Sequence, residues 1–231
     1  MTTGTAITRT AVAVLAAVAL SAGAAGCAPR TATEAAEAPE TPATTTSVAA
    51  PPTSMTLHDY ITENKIAEVP IKDGEPGTPI IEFPFPPGWS DAGDQTPDWA
   101  YGAIVYDKPQ DPADPPVMYA IASKLTGNAD AAVDAAKVLE LAPAQLDGLD
   151  QFTPLGEPER TQLSGFDAIL YEGTYVNEGK TRAVAQMTVA IPGKDGLFVL
   201  QLNSDALQAE QDVVIEAAKL IDEQTKITAP A

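Results

Sequence analysis

The 231-residue chain is 45% hydrophobic, 6% aromatic and 19% charged, and its 13 basic and 32 acidic residues give a formal charge of −19. That acidity sets the surface against nucleic acid and against anionic lipid headgroups, which attract basic side chains. One cysteine and one histidine exclude an internal disulfide and leave too few nitrogen and sulfur ligands for a zinc site.

The chain opens with one basic residue, Arg9, then ten apolar residues over 11–20, then only small residues over 21–26. This is the layout of a secretory signal peptide, because ten residues are too few to span a bilayer and small residues suit a cleavage site. Residues 24–27, Ala-Ala-Gly-Cys, resemble a bacterial lipobox in which Ala24 replaces the usual Leu, Ile or Val. The resemblance implies cleavage before Cys27, a diacylglyceryl thioether on its sulfur and an acylated amine. Residues 1–26 are then leader, and the exported chain is lipid-anchored at the cell membrane, facing the cell wall. Two or three acyl chains, at about 0.8 kcal/mol per buried CH₂, make such an anchor permanent. The processed chain keeps 12 basic and 32 acidic residues, a charge of −20.

Residues 28–54 are almost entirely Ala, Pro, Thr, Glu and Ser. Without large apolar side chains this segment does not offset its ordering entropy, so residues 27–55 read as a lipidated cysteine plus a disordered tether. The tether reaches about 30 Å as flexible coil and about 80 Å when extended, which stands the domain off the bilayer. Residues 56–231 read as a single α+β domain, long enough to bury one core.

Thr56 is placed to cap a helix over 57–64. Strands follow over 66–71 and 80–83, divided by turns at Gly74 and Gly77. The Pro-rich run 83–89 is too poor in N–H donors for a central strand and reads as an extended loop or a sheet edge. Strands over 99–107 and 117–125 pair across a rigid Pro/Asp turn at 109–116. Asn128 is placed to cap a helix that carries Asp130 in its first turn and stops before Pro143. A weaker strand over 152–163 turns at Ser164-Gly165 into a strong one over 166–176. Asn177-Glu178-Gly179 makes a hairpin into 181–191, where Ala183, Ala185, Met187 and Val189 alternate with more polar neighbours. A turn at 192–196 leads to a strand over 197–203. Asp205 with Gln208 resembles a capping box for a last helix over 206–226. Runs of strands punctuated by helices predict an α+β fold, a mainly antiparallel sheet with helices on both faces.

The lipobox, the Thr/Pro tether and three segments of the domain together resemble the mycobacterial LpqN/LpqT lipoprotein family. The segments are Leu57-His58-Asp59-Tyr60-Ile61, Phe83-Pro84-Phe85-Pro86-Pro87-Gly88-Trp89 and Tyr101-Gly102-Ala103-Ile104-Val105. The resemblance covers essentially the whole processed chain. It implies a Mog1/PsbP-like α/β/α sandwich, whose members bind and assemble rather than catalyse, and a mycolate-containing actinobacterial envelope. It brings no catalytic residue onto this sequence; Cys27 is the one functional residue that carries over.

The search for chemistry finds little. His58 lies beside the tether, and no G-x-S-x-G, P-loop or G-x-G-x-x-G occurs. Asp91/Asp94 and Asp111/Asp114 lack the EF-hand pattern and read as turn formers. No catalytic residue, metal or cofactor is expected. Trp89, Trp99, Tyr101, Tyr106 and Tyr119 gather in the first half of the domain. Aromatics in such a cluster either close a sheet edge or line a groove for an apolar or glycosidic ligand. The expected function is that of a non-enzymatic envelope lipoprotein that binds an envelope lipid or glycolipid, or helps hand it on between membrane transport proteins and the wall. The alternative is an acidic interaction module that assembles or regulates a membrane complex. An apolar cavity favours the first, and a filled interior with a flat patch the second.

If acyl chains on Cys27 are the anchor, Cys27→Ala releases the protein into the soluble fraction. Retention of that variant in the membrane fraction after a high-salt wash would contradict lipid anchoring.

Overall fold

Thr56 and Asp59 close a reciprocal capping box, and from it the first helix, α1 (Leu57–Glu63), departs. The computed structural model describes residues 55–127 and 132–230. The leader, Cys27, nearly all of the tether and the expected cap Asn128 lie outside the described residues. After α1 come β1 (Ala67–Pro70), β2 (Ile80–Glu82), β3 (Trp89–Asp91), β4 (Gly102–Tyr106) and β5 (Val117–Thr126). Helices α2 (Ala135–Leu141) and α3 (Ala144–Asp147) follow, then β6 (Thr153–Pro154) and β7 (Glu159–Leu163). The chain ends with β8 (Phe166–Asn177), β9 (Lys180–Gly193), β10 (Gly196–Leu207), α4 (Gln211–Gln224) and β11 (Lys226–Thr228).

Nine strands form one antiparallel sheet in the order β3-β4-β5-β10-β9-β8-β6, with β1 beside β5 and β7 beside β8. The β8–β9 hairpin turns on Glu178 and Gly179, both at positive φ, which matches the right-handed twist of the strands. Ser164-Gly165 makes the same kind of turn between β7 and β8.

Strand β10 is apolar toward both sides, so it takes cover from both. Phe198, Leu200 and Ala206 point to one face, where α4 lays Val214, Ala217 and Ile221 against the sheet. Burying Val214 and Ile221 contributes about 1.5–3 kcal/mol each. Leu197 and Val199 point to the other face, beneath Val138 and Leu139 of α2 and the partly buried Leu57 and Ile61 of α1. The fold is thus α+β, with helices on both faces of a mainly antiparallel sheet.

Several local expectations change. Trp99 stands in a turn closed by the Ala100 N–H to the Pro97 carbonyl at 2.9 Å, and the strand starts only at Gly102. The end of the Pro-rich run supplies the edge strand β3. Asp134 caps α2 by accepting from the N–H groups of Ala136 and Lys137, so that helix starts seven residues after Asn128. Pro143 does not stop helical structure but opens α3, a position where its missing N–H costs nothing. The strand expected over 152–163 is two pieces, β6 and β7, both paired with β8. Asp205 is not a cap: β10 continues through it to Leu207, a 3₁₀ turn spans Gln208–Glu210, and α4 starts at Gln211. β2 and β11 pair in a separate two-stranded ribbon that puts Ile81 and Ile227 into the α4-side core.

Gly173 on β8 lies under the Phe152 ring, and a Cβ there would meet the ring at 2.4 Å and the Thr153 carbonyl oxygen at 2.7 Å. Gly173→Ala should therefore lower unfolding stability by about 1–3 kcal/mol in a urea melt. A change below about 0.5 kcal/mol would show that β6 yields without cost.

Candidate ligand-binding site

The structure does not gather the five aromatics on one surface. Trp89 is buried on the α4 side and packs on the half-buried Tyr106, ring centroids 5.6 Å apart. Tyr101 packs edge-on against Phe83 on the same side. Its hydroxyl donates to Asp73 at 3.1 Å, and burial and that carboxylate push its pKa up to about 12. Trp99 and Tyr119 form an edge-to-face pair 5.5 Å apart on the opposite face, since Tyr119 stands across from Asn203, not on the side of Leu202. Trp99 is 53% exposed.

The α4 side holds an apolar cleft in two lobes. Helix α4 crosses the sheet without covering it. On one flank, Phe83, Phe85, Ile104, Met118, Leu202 and Ile221 surround a space of about 150 Å³, floored at Gly102, where a Cβ would meet nothing within 4 Å. On the other flank a space of about 320 Å³ lies between α4 and the strands β7–β10, against Leu163, Leu170, Met187 and Leu202. Each mouth carries an exposed apolar side chain, Phe85 at 61% on the first and Ile215 at 57% on the second. Exposed apolar groups beside an apolar cleft mark a surface that meets hydrocarbon or a partner. Carboxylates dominate the rims: Asp91 at the first lobe, and Glu159, Glu172 and Asp222 with Lys219 at the second.

A polar cavity of about 440 Å³ opens on the opposite face, between the Asp111–Pro116 turn, Tyr119 and the ends of β9 and β10. Arg182 organises it. Its Nε donates to Asp205 and its Nη1 donates to Asp114 at 2.9 Å. Tyr175 donates a short hydrogen bond to the same Asp205 carboxylate, and Lys180 reaches Asp114 at 2.8 Å. Burial raises the Asp205 pKa above the ordinary range, despite Tyr175 and Arg182. Lys180 and Arg182 hold Asp114 below it, against a smaller effect of burial. Burial opposes the charge on Arg182, but Asp205 and Asp114 outweigh it and raise its pKa. The arrangement neutralises its own charges and pins the Pro-rich turn to the sheet.

His58 is exposed on α1. Among the described residues no grouping of three or more His, Cys, Asp or Glu side chains is placed to hold a metal ion, and no helix is long and apolar enough to cross a membrane. Leu202 and Ile221 carry the cleft, yet in sequence they belong to the same apolar stripes as core positions, and no residue type separates a cleft wall from a core. Arg182 is a polar position in an alternating strand; its burial follows from the Asp114 and Asp205 carboxylates that the fold brings to it.

Comparison with known proteins gives a consistent result. The family described as "Probable lipoprotein LpqN" matches residues 53–228. Lipoprotein LpqN of Mycobacterium tuberculosis (strain ATCC 25618 / H37Rv) is 46% identical over 175 residues, which are 75% of this chain and 74% of the relative. A crystal structure described as that of LpqN involved in cell envelope biogenesis of Mycobacterium tuberculosis superposes with a TM-score of 0.70 at 46% identity, covering 75% of this chain and 97% of the crystallised one. With a family match over most of its length and a solved relative of the same α+β architecture, this chain belongs to the LpqN lipoprotein family.

Proposed function

We propose that this protein is a non-enzymatic lipid-binding lipoprotein that holds the hydrocarbon part of an envelope lipid or glycolipid in the cleft beneath α4. The carrying observation is the cleft itself, an apolar space with two mouths on a domain whose other surface is strongly acidic. The involvement of the solved relative in cell envelope biogenesis supports the reading. So does the physics of exchange. A cleft open to solvent lets a lipid enter and leave without the fold having to open, which suits hand-over between membrane machinery and wall. Anchoring through Cys27 would keep the domain within tether reach of both. Tyr101 supports the Phe83 wall of the first lobe, and Trp89 and Tyr106 back the Met118 side. Trp99 and Tyr119 pair on the opposite face of the sheet and take no part in holding the acyl chain. The acidic interaction module is the weaker reading, because it needs no cleft.

The test uses the full chain carrying Cys27→Ser, which accepts no acyl group of its own, titrated with 1-palmitoylglycerol delivered from cyclodextrin. A Cβ at Gly102 meets nothing within 4 Å, so Gly102→Leu directs its side chain into the cleft space. It should weaken binding tenfold or more, the equivalent of two or three displaced CH₂ groups at about 0.8 kcal/mol each. Trp99→Ala, on the other face, should leave acyl binding within twofold. Unchanged affinity in folded Gly102→Leu would remove the cleft as the site.

A further inference from the structure

The two lobes of the cleft meet at one place. Met118, Leu202 and Ile221 line both of them. Met118 and Leu202 stand on the neighbouring strands β5 and β10, on the same face, and Ile221 comes down on them from α4. Small side chains flank the partition, Ala218 on α4 and Ala185 on β9 toward the larger lobe, Ala120 on β5 toward the smaller. The lobes thus meet at three apolar side chains, one of them an unbranched Met with three rotatable bonds.

We propose that Met118, Leu202 and Ile221 form an adjustable partition, with Ile221 setting the length of hydrocarbon chain the protein accepts. The inference rests on the lipid-binding reading and deepens it. A short acyl chain fills the 150 Å³ lobe beside Phe85 and stops at the partition. A long one turns the three side chains aside and runs beneath α4 into the 320 Å³ lobe, toward Ile215. The occupant is a single unbranched chain on an uncharged amphiphile. Asp91 at one rim and three carboxylates against one lysine at the other repel an anionic headgroup wherever it emerges. The exposed Phe85 and Ile215 at the two ends fit a ligand whose apolar length spans both lobes.

The experiment compares 1-octanoylglycerol with 1-palmitoylglycerol by calorimetric titration of the full chain carrying Cys27→Ser. The unsubstituted partition should bind the palmitoyl chain at least a hundredfold more tightly. Ile221→Trp should bring palmitoyl affinity down to within a few-fold of octanoyl affinity, so that the ratio of the two affinities collapses. Leu202→Phe, which narrows the same point from the sheet, should produce the same selective loss, and it stands in if the tryptophan variant does not fold. A folded variant that keeps the hundredfold preference, or loses both ligands equally, overturns the partition. Absence of binding of either ligand to the unsubstituted partition overturns the lipid-binding reading itself, a result distinct from both.

Discussion

Everything in this fold depends on β10 having two apolar sides for only part of its length. From Gly196 to Leu200 both faces are hydrophobic, and helices or the β2–β11 ribbon must cover both. From Gln201 onward the side facing α1–α3 turns polar, through Gln201, Asn203 and Asp205. The helices on that side stop there, and the polar cavity opens beyond them. The opposite side stays apolar through Leu202 and Ala206, so α4 has reason to lie across it. A single helix is narrower than the apolar surface of β4, β5, β8 and β9 beside it. The uncovered strips on its two flanks are the two lobes of the cleft.

The two faces consequently do different work. Arg182 spends its hydrogen-bonding capacity on Asp114 and Asp205, and in doing so ties the Pro-rich turn to β10 and holds that rim of the sheet rigid. An amide row adjoins it, with Gln186 donating to Asn203 at 3.0 Å and to Gln145 of α3 at 3.1 Å. Among the described residues, the cleft walls are mostly apolar side chains. Their contacts are dispersion and apolar burial among Met, Leu, Ile and Ala, which specify volume more than geometry. A surface of that kind accommodates hydrocarbon of varying shape, and it does so on a scaffold whose other face is locked.

The sequence was most legible where one local device decides the structure. Thr56 caps α1, and Glu178-Gly179 turns β8 into β9, because caps and positive-φ turns need only neighbouring residues. The alternation of β9 was less legible: its polar positions Arg182, Gln186 and Thr188 are buried, while Ala183, Ala185 and Met187 are half-buried, because both faces of the strand are covered. The misreadings share another cause. Asp205-x-x-Gln208 has the pattern of a capping box, but Tyr175 and Arg182, brought close by β8 and β9, claim the carboxylate and the strand carries on. Trp99 has strand propensity, yet Pro97 and Ala100 close a turn around it. The β2–β11 ribbon joins segments more than 140 residues apart, which no local pattern reveals. The aromatic cluster was close in sequence and split in space, because β3, β4 and β5 alternate their side chains between two faces. The cleft was not legible, since a core position and a cleft wall look alike until the width of the covering helix is known.

The most direct test of lipid binding is mass spectrometry of what the protein carries from its own envelope. The full chain is purified from its own cells in mild detergent, and its non-covalent lipid is extracted with organic solvent and quantified per chain. The account predicts close to one acyl-bearing lipid per protein, separate from any lipid bonded covalently at Cys27, with an uncharged headgroup. Extracted lipid no higher than in a parallel preparation of an unrelated lipoprotein would contradict it.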